Sequence, residues 1–109
     1  MANIDFQKLF DTLKDEVTNL ALSAVNKYKN EAKKDALALM DKMKENLSTW
    51  TLQLADGKLS QKDFEFLVLG QKELIEMSAL KQVGLSKIKM DELKNNILNL
   101  VVKTASGLI

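Results

Sequence analysis

The hydrophobic positions of this chain fall into two long helical stripes separated by one short polar interval. From Phe6 the apolar residues recur at Phe10, Leu13, Val17, Leu20, Ala24, Tyr28, Ala32, Ala36, Leu39, Met43, Leu47, Trp50 and Leu54, always three or four residues apart. That spacing lines one face of an α-helix. Neither Gly nor Pro interrupts the chain from Asn3 to Ala55, and Asn3 or Asp5 can cap the start. The pattern predicts a first arm over residues 4–55, about 75 Å long if unbroken. Its mean step of about 3.7 residues favours nearly straight pairing over a tight left-handed coiled coil. Acid-to-lysine pairs at i,i+3 support the helix at Asp5/Lys8, Asp11/Lys14, Glu31/Lys34 and Asp41/Lys44. The weak point is residues 26–34, where the stripe thins to Tyr28 and Ala32, and a break near Asn30 is the alternative.

The polar interval is Ala55-Asp56-Gly57-Lys58-Leu59-Ser60. Gly57 suits the C′ position of the preceding helix, where a left-handed residue satisfies the last carbonyls. Ser60 is an N-cap, Asp63 completes a capping box, and Leu59 with Phe64 has the spacing of a hydrophobic staple. The same residues superficially suit a calcium loop. With Gly57 at its sixth position, however, the first and third positions fall on Leu52 and Leu54, which supply no oxygen to a cation needing six or more. Capping, not calcium, explains the turn.

The second arm is expected over residues 60–106, stopped by Lys103, Gly107 and Leu108. One stripe, the partner of the first arm, is Phe64, Val68, Ile75, Ala79, Val83, Met90, Leu93, Ile97, Val101 and Leu108. A second, on nearly the opposite side, contains Phe66, Gly70, Met77, Gly84 and Ile88, extended by Leu98 and Val102. A helix with two apolar faces needs more than one neighbour. Either another chain supplies it or the first arm folds back at its weak point. Gly70 and Gly84 are consistent with close approach of a helix on this second face; the other reading of Gly84-Leu85-Ser86 is a C-cap followed by an N-cap. Val83, Met90 and Leu93 keep the main stripe in phase through Gly84 and favour the first reading. The apolar segment 96–103 suits either burial in an oligomer or contact with lipid.

Composition narrows the function classes. The 109 residues contain no Pro, Cys or His, and the net charge is +1 from sixteen lysines against fifteen acids. Without Cys or His there is no thiolate metal site, no cysteine nucleophile and no imidazole base. Near neutrality and the absence of Arg argue against nucleic-acid binding. Neighbouring carboxylates such as Asp15/Glu16 and Asp91/Glu92 diverge by about 100° around a helix and do not converge on one metal or proton. No catalytic residue, cofactor or metal site is assigned. The N-terminus lacks a signal-peptide pattern and no apolar run is long enough for a membrane span, so a cytoplasmic location is expected, or export by a route that needs no N-terminal signal.

In length and hairpin form the chain resembles the small helical proteins exported by type VII secretion. Their motifs are missing, since Trp50-Thr51-Leu52 lacks the expected glycine and Ala32 stands where an acid should follow Tyr28. No membership is read from it. The expectation is a single all-α domain, a long antiparallel helical hairpin that dimerises into a four-helix bundle. Its function is then structural or adaptor, acting by self-association or by binding a helical partner through Phe66, Gly70, Met77, Gly84, Ile88, Leu98 and Val102. The alternative is a peripheral lipid-surface protein.

Overall fold

A computed structural model of the chain describes residues 5–107, so Asn3 and Leu108 lie outside the described residues. The elements are α1 (Phe6–Ala24), α2 (Lys29–Ala55), α3 (Gln61–Leu69), a 3-10 turn (Gly70–Leu74), α4 (Ser78–Gln82) and α5 (Lys87–Gly107). Among the described residues there is no strand, and the fold is all-α as the periodicity requires. The two uninterrupted arms do not form, because each is broken where its apolar stripe weakens.

In the first arm the break covers residues 25–28, just ahead of Asn30. Asp5 caps the start of α1 by accepting from the Lys8 N–H at 3.2 Å. The helix ends with the Val25 N–H donating to the Ala21 carbonyl at 3.0 Å. Val25 is buried while Asn26 and Lys27 are exposed, and asparagine competes poorly for helix interiors because its side chain offers the backbone other bonds. The break lets α1 fold onto α2 as an αα-hairpin, so each covers the apolar stripe of the other.

At the turn after α2, Gly57 and Ser60 act as caps, while no bond from the Ser60 N–H back to the Asp63 carboxylate closes the expected capping box. Gly57 is left-handed with φ 77°. The Lys58 N–H donates to the Gln53 carbonyl at 2.8 Å and the Gly57 N–H to the Leu54 carbonyl at 3.2 Å, the paired bonds of a Schellman motif. Ser60 Oγ accepts from the Asp63 N–H at 3.0 Å. Phe64 is fully buried and Leu59 half-buried.

A second Schellman motif corrects the preferred reading of Gly84. This glycine is also left-handed, with φ 85°, and ends α4. The Leu85 N–H donates to the Leu80 carbonyl and the Gly84 N–H to the Lys81 carbonyl, both at 3.1 Å. Ser86 then accepts from the Lys89 N–H at 3.2 Å and starts α5. Gly84 is thus a chain-reversal residue and not a notch for a neighbouring helix. An earlier interruption follows α3, where the chain tightens into the 3-10 turn and becomes extended at Ile75. The final helix runs through Gly107, one residue past the expected end.

The packing closes a ring, with α1 and α3 each against both α2 and α5, and α4 laid on α2. The longest dimension is 46 Å, far short of an unbroken first arm. The core contains Phe10, Leu13, Val17, Leu39, Met40, Met43 and Leu47 from the first half and Phe64, Val68, Leu80, Ile97 and Leu98 from the second. Each such side chain contributes roughly 1.5–3 kcal/mol by leaving water.

Candidate functional site

The seven residues expected to form one association face are split by the fold. Phe66 on α3 and Ile88 on α5 are 77% and 72% exposed, and Gly70 and Gly84 also face solvent. Met77, Leu98 and Val102 are instead 3%, 0% and 8% exposed and belong to the chain's own core. The reason lies in the breaks of both arms: α1 packs on α5, where Leu98 and Val102 are buried, and the segment carrying Met77 leads into α4, which packs on α2. The tail segment is buried in the same way through Ile97, Leu98, Val101 and Val102.

The large apolar residues left exposed are spread over the surface, Leu52 on α2, Phe66 on α3, Leu74 in the 3-10 turn and Ile88 on α5, and Phe66 is the most exposed of them. The nine-residue α3 buries Phe64 and Val68 and presents Phe66 on the other side. An open groove beside Phe66 is lined by Lys62, Asp63, Glu65, Phe66, Leu69 and Gly70. Gly70 has an ordinary helical φ of −64°, and a Cβ built on it meets nothing within 4 Å. Its lack of a side chain therefore serves no contact inside the chain.

A polar arrangement absent from the sequence reading joins α2 to the interrupted second half. Asp35 is only 5% exposed, and its carboxylate accepts from the Ala79 N–H at 3.1 Å and the Leu80 N–H at 2.8 Å. These are the amides that a capping side chain would normally satisfy at the start of α4, whose own N-cap, Met77, has no side-chain cap bond. Seven residues along α2, Lys42 Nζ donates to the Leu74 carbonyl at 2.6 Å. Two turns of one helix thus hold both ends of residues 74–80, while Ile75, Met77 and Leu80 enter the core between them. The available sequence signal was Asp35 itself, an acid between Ala32, Ala36 and Leu39 on the buried side of the stripe.

Several lysines also have partners within the chain. The Lys14 and Lys44 ammonium groups lie 5.7 and 5.2 Å from the Phe10 ring centre, and that of Lys27 lies 5.6 Å from the Tyr28 ring. These distances fall within cation–π range. Among the described residues, no cluster of three or more His, Cys, Asp or Glu is placed to hold a metal ion. Nor is any helix there long and apolar enough to cross a membrane. Comparison with models of known families, with curated proteins and with solved structures gives no significant match to the chain.

Proposed function

We infer that the protein is a non-enzymatic structural or adaptor protein that acts by association, through the exposed side of α3, with a second copy of itself as first partner. The observation that carries this reading is Phe66. Scattered exposed apolar residues are ordinary, but Phe66 adjoins the half-buried Leu69 and the bare backbone of Gly70 in one groove edged by Lys62, Asp63 and Glu65, an aromatic anchor with a charged rim of the kind that carries protein contacts. Isologous pairing of α3 would join two single-chain helical rings side by side, a smaller association than the four-helix bundle of two long hairpins. Sedimentation equilibrium tests it. The wild type should exceed monomer mass at high concentration, and Phe66→Asp should be monomeric with unchanged helical circular dichroism. A wild-type monomer up to about 1 mM overturns the reading.

The lipid-surface alternative rests on a different feature, Ile88, exposed between exposed Lys87 and Lys89 in the first turn of α5. Its proposed tail segment is occupied in the core. Binding to anionic vesicles that is lost in Ile88→Ser would favour this alternative; no co-sedimentation would remove it.

A further inference from the structure

The reversal between α1 and α2 is built differently from those at Gly57 and Gly84. Each of these glycines holds its turn with a left-handed φ, 77° and 85°, and with the paired bonds of a Schellman motif. Residues 25–28 contain no glycine, and none of them has a positive φ. Val25 and Tyr28, at the two ends, have φ −126° and −125°, and no side chain caps the start of α2. The Val25 N–H donates to the Ala21 carbonyl and the Ala32 N–H to the Tyr28 carbonyl, and among the described residues no backbone bond spans the turn between them. A continuous helix would pair those amides with carbonyls four residues back. The apolar stripe also keeps its step of four across the turn, through Leu20, Ala24, Tyr28, Ala32 and Ala36. Sequence and backbone both permit the two helices to join.

We propose that two copies exchange α1 by straightening residues 25–28. Residues 6–55 then form one helix about 75 Å long. Two such helices related by a two-fold axis through the straightened turn run antiparallel, which is how α1 and α2 already lie in the αα-hairpin. The α1 of each copy therefore meets α2 and α5 of the other, with the contacts it now makes inside its own chain. Leu9, Phe10, Leu13, Val17 and Ala21, the buried residues of α1, enter an identical site, so the fold itself sets the fit of a second copy. The exchanged pair gains the helical bonds across the turn. What opposes it is the opening of α1, which brings five buried side chains into water before the partner arrives. Exchange therefore belongs to folding at high concentration, and its product persists on dilution; chains folded dilute keep α1 in place when concentrated afterwards. It is independent of the Phe66 contact on α3.

Isotope-resolved crosslinking tests the exchange. The Lys14 ammonium on α1 and the Lys44 ammonium on α2 approach the same Phe10 ring, 5.7 and 5.2 Å from its centre. A short amine-reactive crosslinker joins them within one chain in the monomer and between two chains in the exchanged dimer. An equimolar mixture of unlabelled and heavy-isotope chains is refolded together at millimolar concentration and diluted to micromolar, and the dimer that persists is crosslinked and digested. Mixed light–heavy Lys14–Lys44 links should be as frequent there as same-isotope links. Asn26→Ala with Lys27→Ala, at two exposed positions, favours the continuous helix and should raise the association constant of this dimer about tenfold, while Asn26→Gly with Lys27→Gly should lower it about as much. A persistent dimer with same-isotope links alone would overturn the exchange, and so would the absence of any persistent dimer. Neither result bears on the α3 reading, because Phe66→Asp removes the reversible association and should leave the persistent dimer intact.

Discussion

The carboxylate of Asp35 on α2 accepts from the backbone N–H of Leu80 on α4 at 2.8 Å, across a separation of 45 residues. With the companion bond from the Ala79 N–H, one side chain caps a helix to which it does not belong. A local cap can form as soon as its helix does, whereas this one forms only when α2 and α4 are already packed. It therefore couples the first half of the chain to the second.

Removing that carboxylate should be costly. Asp35→Ala leaves the Ala79 and Leu80 amides without their acceptor, one of them buried, and should lower stability by about 3 kcal/mol in urea unfolding. Asp35→Asn keeps one acceptor oxygen and should lose less. A cost below about 1 kcal/mol for the alanine variant would mean that water or another group replaces the cap.

Lys42 should matter less for stability and more for local order. Its bond to the Leu74 carbonyl is exposed, so water can replace it, and Lys42→Met should cost no more than about 1 kcal/mol. The effect should appear in hydrogen exchange around Ile75, whose N–H makes a long 3.4 Å bond to the Lys72 carbonyl. Exchange that is faster at Ile75 and unchanged at the first turn of α5 is the expected signature. Unchanged exchange at both places would show that Lys42 does not hold the start of residues 74–80.

Three glycines should respond to alanine with different signs. Gly57 and Gly84 are left-handed, so alanine at either should cost about 1–2 kcal/mol. At Gly70 the backbone is right-handed and a Cβ has open space, and alanine should stabilise the monomer by about 0.4–1 kcal/mol. Thermal unfolding of the three variants at low concentration, where association does not contribute, separates these cases. A destabilised Gly70→Ala would contradict the assigned backbone conformation.

How far the sequence revealed the fold can be seen at the two Schellman motifs. The first was readable because Gly57, Leu59, Ser60, Asp63 and Phe64 all point to the same turn. The second uses the same chemistry at Gly84 and Ser86, but Val83, Met90 and Leu93 stay in helical phase across it, so periodicity masked the break. Likewise no glycine or proline marks residues 25–28; only a thinning stripe hinted at the fold-back. The core positions were largely legible, since Phe10, Leu13, Val17, Leu39, Met43 and Leu47 are all buried. What covers the second apolar side of α5 was not, because periodicity gives the direction of a face and not its occupant. The Asp35 cap lay further out of reach still, since its partners are backbone amides that every residue carries.

The division of the expected association face leads to a last prediction. With α1 on α5 and α4 on α2, Leu98 and Met77 are core residues, and truncating either to alanine should cost about 2–5 kcal/mol. Phe66→Ala and Ile88→Ala, at exposed positions, should change monomer stability by no more than about 0.5 kcal/mol. The same four residues would behave differently in a dimer of long hairpins. There, all would be covered by the partner, and unfolding midpoints of all four variants would shift with protein concentration. Denaturant titration at two protein concentrations distinguishes the arrangements, because burial within one chain makes the losses at Leu98 and Met77 independent of concentration. A concentration-dependent loss at Leu98 would instead return that residue to the interface and require α1 to leave its place on α5.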